Sequence, residues 1–165
     1  KLIDRHPHIY GDVVVKNEEE VKQNWEKLKL KEGKNSVLEG VPKSLPALVK
    51  ASRIQDKVAG VGIDWEKPQQ VWEKVQEELI ELNEEVKQNN TDNIESEFGD
   101  VLFSMINYAR FINVNPENAL ERTNKKFIKR FQFLEEAAKK KGKELSDMSL
   151  TQMDVYWNES KKYYK

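Results

Sequence analysis

Two acidic segments near the middle of the chain carry residue types that could bind a metal ion. The first contains Glu77, Glu78 and Glu81, and the second contains Glu97 and Asp100. If both segments are helical, spacings of three and four residues place the carboxylates of each segment on neighbouring patches of helix surface. Hard cations such as Mg²⁺ prefer oxygen ligands and combine one or two carboxylates with substrate phosphates. Two such helices lying side by side therefore predict a divalent cation held between them.

A solvated helix face is the simpler interpretation of the first segment alone, because 35% of the chain is charged. The second segment favours a site. Asp100 shares one side of its predicted helix with Phe103 and Phe111, and the opposite side carries an apolar stripe, Phe98, Leu102, Met105 and Ala109. A helix that is apolar nearly all round is predicted to be buried. A buried carboxylate needs a partner or a metal ion, so we expect Asp100 to have one.

The elements that must position these acids are predicted to be long helices. The first acidic segment lies in a helix from Pro68 to about Gln88, with a core stripe of Val71, Val75, Leu79, Leu82 and Val86. Glu78 flanks that stripe, Glu81 lies further round the helix, and Glu77 lies nearly opposite the stripe. The buried helix follows, from about Asp92 to Ile112.

Capping signals predict the remaining helices. One begins at Ser44 or Leu45, ahead of Pro46, and ends before Gly60. Another runs from about 116 to 141, with Asn115 as its cap, and its inward residues are Leu120, Phe127, Phe131 and Leu134. Ser149 caps a last helix, in which Trp157 is either a core residue or an aromatic plate for a nucleobase. The prediction is an all-α fold, an antiparallel helical bundle.

The N-terminal part is predicted to contain less regular structure. His6 and His8 form a turn rather than a ligand pair, Val13 opens a short apolar run, and a helix begins at Asn17 and stops near Gly33. Residues 34–43 are predicted to be a loop. On the helix after that loop, Arg53 and Lys57 are interpreted as solvated basic residues.

The acids occur in a defined order: Glu77 and Glu78, two further residues and Glu81, then fifteen residues, Glu97, two residues and Asp100. This pattern resembles the metal motif of the MazG family of nucleoside triphosphate pyrophosphohydrolases. The segment from Arg122 to Phe127, continued at Arg130-Phe131, resembles a second signature of that family. Further blocks resemble the long bacterial form: residues 5–12, residues 40–48 and Val61-Gly62-Ile63-Asp64-Trp65. Ser96 departs from the family pattern, which often has another acid there.

The resemblance implies hydrolysis of nucleoside triphosphates to a monophosphate and pyrophosphate with Mg²⁺, for which Mn²⁺ could substitute. The implied metal ligands are Glu78, Glu81, Glu97 and Asp100. Glu77 belongs to the same motif and is placed near the attacking water or a bridging solvent. On chemical grounds we expect Glu81 or Glu77 to accept the proton of the attacking water. Lys126 and Arg130 match phosphate-contacting positions, Lys74 lies at the phosphate edge, and Trp157 matches an aromatic near the nucleotide. A row of cations, Arg122, Lys126 and Arg130, suits a metal-bound polyphosphate.

The resemblance also implies an organisation for the chain. Residues 1–43 are expected to be an inter-domain segment that follows an earlier, duplicated domain, and residues 44–165 are expected to be a MazG-like catalytic helical domain. Family members complete their helices across a dimer, and the apolar face around Phe103 and Phe111 fits a contact between protomers. We therefore predict a homodimer.

Composition excludes several other classes. The chain has 28 basic and 29 acidic side chains, a formal net charge of −1, so it lacks the electrostatic footprint of a partner for nucleic acid or an anionic membrane. No apolar run approaches the ~20 residues of a membrane span. Zero cysteines exclude a disulfide scaffold and fit a cytoplasmic location.

Two other functions compete with the enzyme. One is a non-catalytic helical module that binds metal only to hold its shape, to dimerise or to bind a partner. The other is a di-iron carboxylate bundle, which needs Glu-x-x-His on two helices. The histidines of the chain are His6 and His8, far from the acids, and this nearly excludes the di-iron site.

Overall fold

The computed structural model describes residues 36–164, and in that range the chain forms α-helices and one short 3₁₀ helix, with no strand. The helices are α1 (Ala47–Ala59), α2 (Pro68–Gln88), α3 (Thr91–Phe111), α4 (Pro116–Lys140) and α5 (Leu150–Ser160), with the 3₁₀ helix Leu145–Asp147 before α5. The all-α prediction is confirmed for this part of the chain. The predictions for His6, His8, Val13 and the helix from Asn17 lie outside the described residues.

The chain divides into two compact units, Lys1–Val114 and Asn115–Lys165. Helices α1 to α3 belong to the first unit, and α4 and α5 belong to the second. The expected boundary between an inter-domain segment and a catalytic domain, at residues 43 and 44, stays a prediction.

Local capping chemistry sets most helix ends where the sequence predicted them. Asn115 accepts a hydrogen bond from the backbone N–H of Asn118 at 2.9 Å, so α4 begins at Pro116. Ser149 forms a capping box with Gln152, through bonds of 3.3 and 3.1 Å, and starts α5. Helix α1 begins at Ala47, later than the predicted start at Ser44 or Leu45, and Pro46 is its N-cap.

Helices α2 and α3 form an antiparallel hairpin with a short connection. Asn89 ends α2 in the left-handed conformation, with φ of 54°, which asparagine tolerates better than most residues. Asn90 then caps α3. A connection this short forces the two helices to pack side by side, and this packing determines which face of each helix is buried.

The buried line on α2 differs from the predicted core stripe. Val71 and Val75 are 1% and 0% exposed, and Glu78 continues that line at 7%. Leu79 and Val86 are 46% and 48% exposed, so their assignment to the core is wrong for the single chain. Leu79 lies next to Glu78 but on the neighbouring strip of helix surface, which α3 does not cover.

Helix α3 is also less buried than predicted. Ser104, Ile106 and Ala109 are its buried residues, and Gln55 of α1 contacts it by donating to the Phe103 carbonyl at 2.8 Å. The predicted all-round burial is wrong for the single chain, because large apolar side chains of both sides are exposed: Phe98, Leu102, Phe103 and Met105. They form with Leu79 and Val86 a set that we call the apolar surface of the hairpin.

The predicted exposure of Lys57 on α1 is also wrong. Lys57 was interpreted as a solvated residue, yet it is 4% exposed, and its Nζ donates to the Val37 carbonyl at 3.4 Å. The loop from residue 36 onward covers this side of α1, so the i,i+4 spacing with the exposed Arg53 did not indicate a common solvated face.

In the second unit, α4 packs against α5 mainly through its C-terminal half. Leu134 and Ala138 are buried, and Met148 joins them from the segment before α5. The predicted inward positions Leu120, Phe127 and Phe131 are 51%, 56% and 39% exposed. That part of the prediction is wrong for the single chain, because α5 is short and covers only part of the apolar stripe of α4.

None of the helices in residues 36–164 combines the length and the apolar character that crossing a bilayer requires.

Candidate metal centre

The hairpin of α2 and α3 brings three of the predicted ligands together. Glu78, Glu81 and Glu97 each offer a carboxylate oxygen, and these oxygens all lie within 4.8 Å of one another. Glu78 and Glu81 lie one turn apart on α2, and Glu97 lies in the second turn of α3. We call these three residues the acidic cluster.

The chemistry of the acidic cluster fits a hard divalent cation. Mg²⁺ binds oxygens at 2.0–2.1 Å, so two of its ligands are at most about 4.2 Å apart. The observed separation is within reach of this limit through small side-chain rotations. Glu78 is buried, and Glu97 is half-buried, and carboxylates with reduced access to water are costly unless a cation compensates them. A cation held by these three oxygens would supply that compensation.

Lys74 supplies one cation at the edge of the acidic cluster. Its Nζ lies 2.8 Å from an oxygen of Glu77 and 2.9 Å from an oxygen of Glu78. The hydrogen bonds that Lys74 donates to Glu77 and then to Glu78 raise the pKa of the Lys74 ammonium well above its ordinary value. Lys74 is therefore protonated at any physiological pH, and it neutralises part of the charge of the one buried member of the cluster.

Glu81 is the exposed member of the cluster, and its pKa is raised. The causes are the reduced hydration of its carboxylate and then the negative charge of Glu78, which together outweigh the opposing effect of Lys74. A raised carboxyl pKa means that protons compete with a metal ion for Glu81 at higher pH than for an ordinary glutamate. It also makes the carboxylate a better proton acceptor.

Two acids of the predicted site lie outside the acidic cluster. Glu77 is exposed and pairs with Lys74. Asp100 lies one turn beyond Glu97 on α3 and is exposed in the single chain, so the expectation that Phe103 and Phe111 remove it from water is wrong here. Neither position tests the roles predicted for these two acids, which stay predictions.

The remaining predicted residues lie in the second unit. Lys126 and Arg130 are half-buried on α4. Trp157 of α5 is half-buried, with its ring 5.0 Å from that of Phe127 and 5.9 Å from the Arg130 guanidinium. Trp157 thus packs against α4 while part of its surface stays exposed. This arrangement is compatible with a core residue and with an aromatic plate for a nucleobase.

Comparison with known proteins gives the family. Residues 66–133 match the MazG nucleotide pyrophosphohydrolase domain. The chain contains a MazG domain. The matched range contains every acid of the predicted metal motif together with Lys126 and Arg130, whereas Trp157 lies beyond it.

Relatives match over nearly the whole chain. A protein of Thermotoga maritima named nucleoside triphosphate pyrophosphohydrolase/pyrophosphatase MazG is 40% identical over 164 residues, which are 98% of this chain and 62% of the relative. The nucleoside triphosphate pyrophosphohydrolase of Escherichia coli K12 is 38% identical over 168 residues, 98% of this chain and 64% of the relative. The uncharacterised protein YabN of Bacillus subtilis is 49% identical over 165 residues, 98% of this chain and 34% of the relative. The chain therefore spans from about a third to just under two thirds of these relatives.

One ion pair of the first unit could not be predicted from the sequence. Arg110 of α3 donates to both carboxylate oxygens of Asp64, from Nη1 at 2.7 Å and from Nη2 at 2.5 Å, and it also donates to Asn107. This pair ties the connection between α1 and α2 to the C-terminal end of α3. Asp64 belongs to a block that resembles the family, but nothing in the spacing of the sequence indicated Arg110 as its partner.

Proposed function

We propose that this chain hydrolyses nucleoside triphosphates to a nucleoside monophosphate and pyrophosphate in a Mg²⁺-dependent reaction, with Mn²⁺ able to replace Mg²⁺. The observation that carries the proposal is the convergence of Glu78, Glu81 and Glu97 on one point between α2 and α3 of a MazG domain. The physiological role would be control of the nucleotide pool. The absence of cysteine from the sequence supports a cytoplasmic location as part of the same proposal.

Glu78, Glu81 and Glu97 would hold the metal ion, with Asp100 completing the set as the fourth carboxylate. A bound Mg²⁺ supplies charge neutralisation for the phosphates and acidifies a coordinated water. Phosphoryl chemistry of this kind depends mainly on positioning and electrostatic stabilisation. The protein must therefore also provide a proton acceptor and cations for the phosphate oxygens that the metal does not neutralise.

Glu81 or Glu77 would accept the proton of the attacking water. The raised pKa of Glu81 supports this role for it, and the ion pair with Lys74 holds the Glu77 carboxylate close to the same helix surface. Lys126 and Arg130 would bind the phosphates, and Lys74 would stand at the phosphate edge. Trp157 would contact the nucleoside.

A homodimer is part of the proposal. The apolar surface of the hairpin consists of six large apolar side chains that are each more than 40% exposed, and exposed apolar surface on a monomer commonly marks an interface. Light scattering at micromolar concentration should give a mass near twice the 19.4 kDa of one chain. A mass equal to that of one chain would contradict the dimer without affecting the proposal for the reaction.

The reaction is tested with the four ribonucleoside and four deoxyribonucleoside triphosphates, each incubated with the chain in MgCl₂, in MnCl₂ and in EDTA. Pyrophosphate and orthophosphate are measured separately, because only cleavage between the α and β phosphorus releases pyrophosphate. We expect the wild type to release pyrophosphate only when metal is present. The Glu97→Gln variant should lose this activity. The Glu84→Gln variant should keep it, because Glu84 is an exposed glutamate of α2 outside the acidic cluster. Orthophosphate as the only product would refute the proposal.

The second candidate function is a non-catalytic module that binds metal for its own assembly, which the exposed apolar surface of the hairpin favours. In that case Mg²⁺ would raise the thermal stability or the mass of the chain, and none of the eight triphosphates would be hydrolysed. The same panel of substrates therefore separates the two functions, and it also shows base and sugar preference.

A further inference from the structure

The guanidinium of Arg130 is held by the turn that follows α5. Its Nε and Nη2 both donate to the backbone carbonyl of Tyr164, at 2.9 and 2.7 Å. These two donors lie on the same edge of the planar guanidinium group. Nη1 and the second hydrogen of Nη2 form the other fork of donors, at the end of the side chain. A single carbonyl therefore fixes the orientation of Arg130 and leaves a two-donor fork that it does not use.

The carbonyl is itself well anchored. The rings of Tyr163 and Tyr164 lie 5.5 and 6.4 Å from the ring of Phe133 on α4. The backbone N–H groups of both tyrosines donate to the Ser160 carbonyl, at 3.1 and 3.0 Å, and the fully buried Ser160 donates its hydroxyl to the Trp157 carbonyl at 2.7 Å. We call residues Lys161 to Tyr164 the Tyr164 turn, and these contacts fix it to α4.

Trp157 supports the same guanidinium from a second direction. Its ring centroid lies 5.9 Å from Cζ of Arg130, within the range of a cation–π contact. A long side chain that is free in solution loses conformational freedom when it binds a ligand, and a side chain that is already fixed avoids much of that loss. Arg130 is thus held before any ligand arrives.

We infer that the Tyr164 turn positions Arg130 so that its end-on fork is preformed to bind a phosphate group of the nucleotide. Arginine and phosphate commonly pair through two parallel hydrogen bonds, and the fork left by Tyr164 has that geometry. Tyr164 acts through its backbone carbonyl and is a positioning residue, whereas Arg130 is the group that touches the substrate. The inference rests on the proposed function. It adds a role for the Tyr164 turn, a segment that lies outside the metal motif.

Deleting residues 163–165 from the full chain removes the carbonyl and both tyrosine rings. The assay measures pyrophosphate release from whichever of the eight common triphosphates the wild type turns over fastest. We expect KM to rise by up to about tenfold, because Arg130 would then have to be ordered when the nucleotide binds. A variant that merely lost folded protein would show a lower kcat and an unchanged KM.

Two substitutions serve as controls for the deletion. Tyr164→Phe keeps the ring and the backbone carbonyl, so it should retain the wild-type KM. Tyr164→Ala keeps the carbonyl and loses one ring contact with Phe133, so it should raise KM by a smaller factor than the deletion. This variant also tests the inference should the deletion prevent folding, which circular dichroism would show.

The decisive comparison repeats the deletion in an Arg130→Ala background. If the turn acts through Arg130, the deletion should cause no further rise of KM there. Two results would overturn the inference: an equal rise of KM in both backgrounds, or a wild-type KM for both the deletion and Tyr164→Ala. The proposed function would still stand in either case, provided that the wild type is active. An inactive wild type would overturn the proposed function and the inference together.

Discussion

Replacing Glu97 by glutamine should stabilise the metal-free protein and should reduce the additional stability that Mg²⁺ provides. Glu97 is the member of the acidic cluster contributed by α3, and its carboxylate oxygen lies within 4.8 Å of an oxygen of Glu78. Glutamine has nearly the same shape and carries no charge. In the absence of metal the substitution removes a repulsion, and in its presence the substitution removes a ligand.

The size of both effects follows from the separation of the two carboxylates. Two like charges at this distance repel by about 1 kcal/mol even when screened as in bulk water, so Glu97→Gln should stabilise the metal-free protein by about 1 kcal/mol. That corresponds to a rise in melting temperature of about 2–4 °C for a chain of this size. Mg²⁺ at ten times its dissociation constant stabilises the wild type by about 1.4 kcal/mol. A variant that binds tenfold more weakly gains only about 0.4 kcal/mol.

The assay is thermal unfolding followed by circular dichroism, in EDTA and in MgCl₂, with KCl added to hold the ionic strength constant. Glu84→Gln is the matched control, because it removes the same charge from an exposed position on α2 outside the cluster. This control should shift the melting temperature little in EDTA and should respond to Mg²⁺ as the wild type does.

A lower melting temperature of Glu97→Gln in EDTA would show that the cluster is not a site of repulsion. An equal response of Glu97→Gln and Glu84→Gln to Mg²⁺ would show that the acids are an ordinary solvated face. Either result would refute the reasoning from the geometry of the cluster.

Three further predictions follow from the same contacts. Glu81→Gln should reduce pyrophosphate release about 100-fold or more if Glu81 is the general base, and near wild-type release in a continuous assay would exclude that role. Lys74→Met should destabilise the protein in EDTA by about 1 kcal/mol, because Glu78 loses its cation, and Mg²⁺ should restore most of that loss in thermal melts; a deficit that Mg²⁺ leaves unchanged would contradict the compensation argument. Asp64→Asn should lower the urea midpoint by the equivalent of about 1 kcal/mol through the loss of its pair with Arg110, and a difference that persists undiminished in 1 M KCl would argue against an electrostatic cause.

The ends of the helices could be predicted because their signals are local. Pro68, Asn115 and Ser149 each act on the backbone within one turn, and the structure has α2, α4 and α5 beginning at or directly after them. The convergence of Glu78 with Glu97 was also predictable, since a short polar connection between two amphipathic helices forces them to pack together.

The burial of individual side chains was harder to predict, because periodicity shows which residues share a face but not what covers it. Leu79 and Val86 belong to the apolar face of α2, yet they are exposed in the single chain, while Glu78 beside them is buried. The contacts of Arg110 with Asp64 and of Arg130 with Tyr164 join residues more than thirty positions apart, and no local pattern encodes such pairs.

The two asparagines that connect α2 to α3 have a consequence for the evolution of this site. Each added residue turns a helix by about 100°, so one insertion near the start of α3 would swing Glu97 away from Glu81 while leaving both helices intact. The length of the connection thus fixes the register in which the carboxylates meet. In variants of this chain, replacement of Asn89 or Asn90 should be tolerated far better than a change in their number, because Asn89 needs only a side chain that permits its left-handed backbone.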